Sequence, residues 1–282
     1  MASQVEFPRD RLALSGLVLF TLWAATALFG PSFSPFDPWD MSSEPMTPPS
    51  AVHLLGTNDG GQDILSELLL SIRNSLIFGC ITGLCALMLG VVIGGSAAWY
   101  GGWFDLLFMR IADILLSIPV VMILIIVAAL CRPPFYVLAF VLGLLAWPAI
   151  ARGIRAQALT LKERLHIRAA RQMGAGYVHI LWHHLIPELF PLFVIGFAAR
   201  MRMAVFMEAS LAFLGLMDPS HKSLGLMIHH ALGFYYMGIW WNWLLPPVAC
   251  LSLMIMSVTF IAVGMERQFD PRLGQTVILA TR

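Results

Sequence analysis

Two pairs of adjacent histidines, His183 with His184 and His229 with His230, are the side chains in this sequence best suited to metal chemistry. Neighbouring positions on a helix point about 100° apart, so neither pair is a ready-made chelate. No cysteine stands beside them at ligand spacing, and neither a resident metal nor any other cofactor is expected. The sequence also contains no G-x-x-x-x-G-K-[ST] loop, no H-E-x-x-H and no G-x-S-x-G. The chain is therefore not expected to be an enzyme, and any energy from ATP would have to arrive through another chain. What remains is ionic. Arg200, Arg202 and Glu208 stand in the apolar run FVIGFAARMRMAVFMEASLAFLGL. At bilayer depth each charge costs at least ~2.5 kcal/mol and has to face protein or water. Two readings stay open: ion pairs that tie helices together, or groups lining a translocation path for a polar or anionic substrate. Glu208 is six residues from Arg202 and eight from Arg200, spacings that do not support a pair within one helix. Its partner should come from another helix or another subunit. Arg110 and Asp113, three residues apart, share a helix face and predict a structural ion pair.

Such groups need membrane helices to hold them. Hydrophobic residues make up 59% of the 282-residue sequence and charged ones 12%; the mean hydropathy is +0.80. A soluble domain of this length would need far more charge on its surface. Six runs approach the ~20 residues needed to cross a bilayer. They are Leu12 to Gly30, Ser75 to Tyr100, Leu106 to Leu130, Phe135 to Ile150, Leu189 to Leu216 and Trp240 to Met265. These runs are continuous rather than alternating, which selects helices over barrel strands and predicts an all-α, polytopic bundle of six transmembrane helices. The first run follows Arg9 and Arg11 without a small-residue cleavage pattern, so a retained helix is expected. Gly79, Gly83, Ala86, Gly90 and Gly94 form a small-residue stripe suited to close helix packing. Cys80, Cys85, Cys131 and Cys250 read as buried structural thiols.

Between the first two runs lies a proline-rich stretch (Pro31, Pro35, Pro38, Pro45, Pro48, Pro49) that disfavours helix. It ends in a GTNDGG turn, after which Asp63 and Ile64 open a helix. Residues 1–72 are read as one unit, a first helix with its proline-rich loop, and 73–282 as a second, core unit carrying a polar loop at 152–187. Within that loop KERLHIRAARQMGAGYVHILWHHLIP, Lys162 to Pro187, is a basic island that lipid cannot accommodate. Arg9 and Arg11, the cluster Arg152, Arg155, Lys162, Arg164, Arg168 and Arg171, and the group Arg267, Arg272 and Arg282 all fall on one side of a six-helix topology. The positive-inside rule makes that side the cytoplasm and puts both termini there. The acidic stretch containing Asp37, Asp40, Glu44, Asp59, Asp63 and Glu67 faces the other way.

Within the island, IRAARQMGAGYVHILWHHLIP resembles the E-A-A-x-x-x-G loop of ABC importer permeases, which ends in I-x-L-P. Ala169, Ala170, Gly174 and Pro187 match, and Arg168 stands where the family has Glu. HLLGTNDGGQDILSEL is similar to the LGTDxxGRDxxSRL signature of the dipeptide, oligopeptide and nickel importers, with departures at Asn58, Gln62 and Glu67. Met109 to Pro119, Glu208 to Leu216 and the ending Phe269 to Arg272 also approach family form. The resemblance, from about His53 to Leu273, implies a type I ABC importer permease fold in the cytoplasmic (inner) membrane. It implies that this chain forms half of a translocation pathway and works by alternating access. A second homologous permease, two ABC ATPase subunits that bind the ATP, an external solute-binding protein and membrane lipid are the implied partners; nucleic acid is not.

Peptide is the expected cargo, with nickel or a metal chelate as the alternative suggested by His221, His229 and His230. By the same resemblance the short segment Arg168 to Met173 is a coupling helix seated in the ATPase, with Ala169, Ala170, Arg171, Gly174, Ala175 and Pro187 completing it. At the start of that helix Arg168 would be mildly unfavourable to the helix dipole, and it is expected to meet an acidic group on the ATPase. Tyr177, Ile180, Leu181 and Trp182 would anchor the return to the membrane, and Asp218 to Tyr236, with Leu226, Met227, Phe234 and Tyr235, would form an external docking face. An intramembrane metalloenzyme using the histidine pairs and an ion-coupled carrier resting on Arg200, Arg202 and Glu208 are the competing readings.

Overall fold

Lacking alternation, the apolar runs satisfy their backbone within single segments, and each becomes helical in the computed structural model, which describes residues 11–238 and 240–269. Eleven α-helices follow in order: α1 Arg11–Phe29, α2 Ile64–Tyr100, α3 Gly102–Ser117, α4 Val120–Cys131, α5 Phe135–Lys162, α6 Leu165–Gln172, α7 Tyr177–Ile180, α8 Ile186–Phe213, α9 Leu224–Gly233, α10 Trp240–Trp243 and α11 Leu245–Phe269. Among the described residues the only strand-like pairing is a single bridge between Thr57 and Asp63. Among the described residues five helices are long and apolar enough to cross a membrane, or six spans if α3 and α4 together make one.

The third expected crossing is not one straight helix. α3 and α4 meet at an angle of 78°. Pro119 causes the break: its ring excludes Ile118 from helical geometry, and Ile118 is extended at φ −102°, ψ 127°. The fourth crossing, expected to end near Ile150, continues to Lys162 and carries Arg152 and Arg155 on its own last turns. The last is divided at Leu244 into α10 and α11, with Pro246 and Pro247 in the first turn of α11, where a missing N–H costs nothing.

α2 is the central element, and its small residues explain why. Gly79 and Gly83 let α8 approach so closely that a Cβ at either would meet Met201, Val205 or Phe197. Gly90 and Gly94 do the same for α5 at Ile150 and Ala151. The packing stripe is thus shared between two neighbours rather than serving one. α1 packs across α11, where Gly16 and Gly264 bring the two backbones together. The cysteines are all free; three are partly buried and Cys131 is exposed, so none is the fully buried thiol expected.

Candidate functional site

The basic island hangs from the end of the bundle where α2, α3 and α5 converge. Lys162 donates to the carbonyls of Ala98 (3.2 Å) and Trp99 (3.3 Å), closing the end of α2 with a positive charge that complements its dipole. Arg155 grips Asp105 of α3 through two bonds of 2.5 Å. Asp113 pairs with Arg152 of α5 and not with Arg110, which corrects the expected intrahelical pair. α3 lies against α5 here, and that placement, invisible in the spacing, decides the partner.

α6 begins three residues earlier than the expected segment. One side chain fastens it to the core: Ile167, 1% exposed, packs with Ile154, Ala158, Leu161, Ile180 and Leu185. Glu188 in the first turn of α8 fastens it again, accepting from Arg164 at 2.7 Å and pairing with His166 at 2.9 Å. The opposite face is bare. Leu165 is 85% and Met173 86% exposed, and Arg168 and Ala169 lie between them on the surface, with Ala170 half-buried. Gly174 ends the helix at φ +88°, a left-handed conformation that favours glycine. The Ala175 N–H then reaches the Ala170 carbonyl at 3.1 Å, the wrapped-back bond of a Schellman cap.

Arg168 falls on the fourth residue of α6, beyond the first turn, so the dipole penalty expected for it does not apply. It lies 3.6 Å from Glu163, with both side chains about two-thirds exposed, a contact worth little in water. The side chains of Arg171 and Tyr177 lie outside the described residues, as do Arg9, Arg272, Arg282 and the ending at Asp270 to Arg272. Ile180 and Leu181 turn inward toward the Ile167 cluster, whereas Trp182 is exposed. The turn Leu181–Leu185 is a π-helix, and α8 continues from it with Pro187 near its start.

Glu208, fully buried, accepts from Ser75 of α2 at 3.1 Å and also faces the Ser223 hydroxyl, so its partners come from outside its own helix and are hydroxyls, not a cation. Arg202 donates to Thr259 of α11 at 3.4 Å, and Arg200 reaches the sulfur of Met203 at 3.7 Å. The structure therefore does not bring Arg200, Arg202 and Glu208 together.

At the opposite end, Lys222 is a site residue that no motif in the sequence marks. It is buried, lies 2.9 Å from Glu67, donates to Gln62 and sits 4.9 Å above the ring of Trp39. Asn58 completes the cluster, donating to Gln62 at 3.0 Å and to Glu67 at 2.9 Å. Asn58, Gln62 and Glu67 are the three positions that depart from the LGTDxxGRDxxSRL pattern. Their joint departure was the available signal, and Lys222 is what they share. Asp63 caps α2 by accepting from the Ser66 N–H at 2.8 Å, while His53 holds its other oxygen at 3.0 Å.

Residues 86–275 match the family model described as the inner membrane component of binding-protein-dependent transport systems, and residues 6–49 match the N-terminal transmembrane domain of oligopeptide transport permease C. The chain belongs to this family of ABC importer permeases. Over 95% of the permease and 89% of the relative, it is 33% identical to a Brucella suis protein provisionally named a peptide permease. It is 29% identical to a dipeptide transport system permease protein of Bacillus subtilis, over 94% of the permease and 83% of the relative. It is 30% identical to a glutathione transport system permease protein of Pectobacterium atrosepticum, over 95% and 89%. The permease is thus a multi-pass membrane transport subunit, whose family works with ATPase and substrate-binding partners.

Among the described residues of the permease, no three His, Cys, Asp or Glu side chains are arranged to hold a metal ion. His221 is stacked on Phe135 with ring centroids 5.5 Å apart, and His229 is held by the Phe213 carbonyl at 2.9 Å. The expected docking face also needs correction: Leu226 and Met227 are buried against the bundle, leaving Tyr235 and Tyr236 as its exposed aromatic groups. α9 lies so close to α8 that a Cβ on Gly225 would meet the backbone of Ala209, which turns those apolar side chains inward.

Proposed function

We propose that the permease forms half of a peptide pathway across the inner membrane, opposite a second permease of the same fold, and that two separate ATPase chains drive it through α6. The observation that carries this reading is the asymmetry of α6. One face is fixed to α5 and α8 by Ile167 and by Arg164 and His166 on Glu188, while Leu165, Arg168 and Met173 stay exposed at the far edge. A helix held this way moves with the membrane helices behind it and offers apolar and cationic groups to a groove in front. ATP-driven closure of the ATPase pair then shifts α6, and through Glu188 it shifts α8. Arg168, held by nothing stronger than Glu163, turns to an acidic group of the ATPase.

Both termini lie in the cytoplasm on this reading, and a solute-binding protein delivers cargo at the end marked by Trp39, Tyr235 and Tyr236. Peptide is the cargo because the similar proteins are named for dipeptide and glutathione transport. Gly174→Pro tests the coupling role. Uptake of a labelled dipeptide by a deletion strain carrying this variant should be lost while the chain still inserts in the membrane. Retained uptake overturns the role of α6.

A further inference from the structure

α8 runs from Ile186 to Phe213, which sets Arg200 and Arg202 at its midpoint, ~20 Å from either end. Mid-membrane cations normally find a carboxylate. Among the described residues neither arginine has one: Arg202 meets the hydroxyl of Thr259, and Arg200 meets the thioether of Met203, a weak acceptor. The Arg200 Nε is buried and makes no hydrogen bond. The one acidic side chain of α8 near this depth, Glu208, is turned away into the interface with α2, where Ser75 holds it. Ala198, Met201, Ala204, Val205 and Glu208 form the buried stripe of the helix, and the arginines flank it on either side, both half-buried. Phe206 and Phe213 mark the face beyond, which this chain leaves uncovered. Two uncompensated positive charges at mid-depth, with donor capacity to spare, make a receptor for an anion that is not part of this chain.

We infer that Arg200 and Arg202, one on each edge of the buried stripe of α8, are mid-membrane cationic positions that a peptide carboxylate in transit passes, and that they bias the pathway toward anionic cargo. The inference rests on the peptide-permease reading and deepens it. A peptide carboxylate passing this depth would meet two guanidinium groups whose charge no carboxylate among the described residues offsets. A cationic side chain in the same place would add a third positive charge. A fixed carboxylate on the second permease would satisfy the same arginines, and the experiment must separate the two.

The test uses the whole complex in proteoliposomes, with binding protein in excess and saturated in turn with labelled Ala-Glu, Ala-Ala or Ala-Lys. For the parent, ATP-driven uptake should be faster for Ala-Glu than for Ala-Lys. In the Arg200→Gln, Arg202→Gln double variant the ratio of the two rates should fall about tenfold, the scale on which a charged cleft alters the local concentration of an ion. Arg200→Lys with Arg202→Lys should restore most of it. An unchanged ratio in an intact complex overturns the inference. Dissociation of the second permease from the double variant on size-exclusion chromatography also overturns it, because the arginines would then be serving a fixed interface carboxylate. Failure of the parent complex to take up any of the three dipeptides defeats the peptide-permease reading itself, a result distinct from either of the others.

Discussion

Lys222 and Glu67 form an ion pair of 2.9 Å, with side chains only 7% and 2% exposed, between the loop after α8 and the first turn of α2. Nothing in the chain between them suggests the contact. Two charges removed from water at this depth are tolerated because every neighbour helps: Gln62 accepts from Lys222, Asn58 donates to Glu67, and Trp39 covers the ammonium. Lys222→Met would leave Glu67 buried without its cation and should cost about 3–5 kcal/mol. Lys222→Glu combined with Glu67→Lys should recover part of that loss. Thermal unfolding of the purified permease in detergent measures both.

Glu208 is a buried carboxylate that faces two hydroxyls, Ser75 of α2 and Ser223, and no cation. Glu208→Gln keeps an acceptor for Ser75 and removes any charge, so stability should match or exceed the parent by about 1 kcal/mol. Glu208→Leu removes the acceptor and should be the less stable of the two. The comparison is made by denaturation in the same detergent, and a Gln variant markedly weaker than Leu would show that the carboxylate matters as a charge.

Replacing Gly94 by Val should prevent correct folding. A Cβ there meets the backbone of Ala151, which cannot move without displacing α5, so the cost should exceed the ~1–3 kcal/mol typical of overpacking. Gly153, with open space where its Cβ would lie, is the control in the same helix pair: Gly153→Ala should leave expression and detergent stability at the parental level.

Arg168→Glu restores the residue of the E-A-A-x-x-x-G pattern and breaks only an exposed contact to Glu163. Folding should be unaffected, to within ~0.5 kcal/mol. Uptake should fall if Arg168 meets an acidic group of the ATPase. Transport and ATP hydrolysis measured on the same preparation check this; full coupling in the variant would refute that contact.

Gly174→Ala differs from the proline variant in keeping the N–H and adding one methyl group at φ +88°. Nothing lies within contact distance of the added carbon, so the cost is conformational, about 1 kcal/mol. Uptake should persist at a reduced rate, most visibly on warming.

What the sequence determined without help was set by local chemistry. Continuous apolar length dictated helices, a glycine after A-A-x-x-x ended α6 where the backbone had to turn left-handed, and the spacing of small residues marked α2 for close packing. Charge count placed a basic island outside lipid. The tertiary structure decided which residues meet. Asp113 answers Arg152 rather than Arg110, Glu208 answers Ser75, and Lys222 answers Glu67 across 155 residues of chain. Pro119 was visible in the sequence, but the 78° bend it produces depends on how α3 and α4 pack on α5. Ion pairs form between neighbours in space, and in a helix bundle neighbours in space belong to different helices. Periodicity along one helix reports which face is apolar; it carries no record of which helix that face will touch.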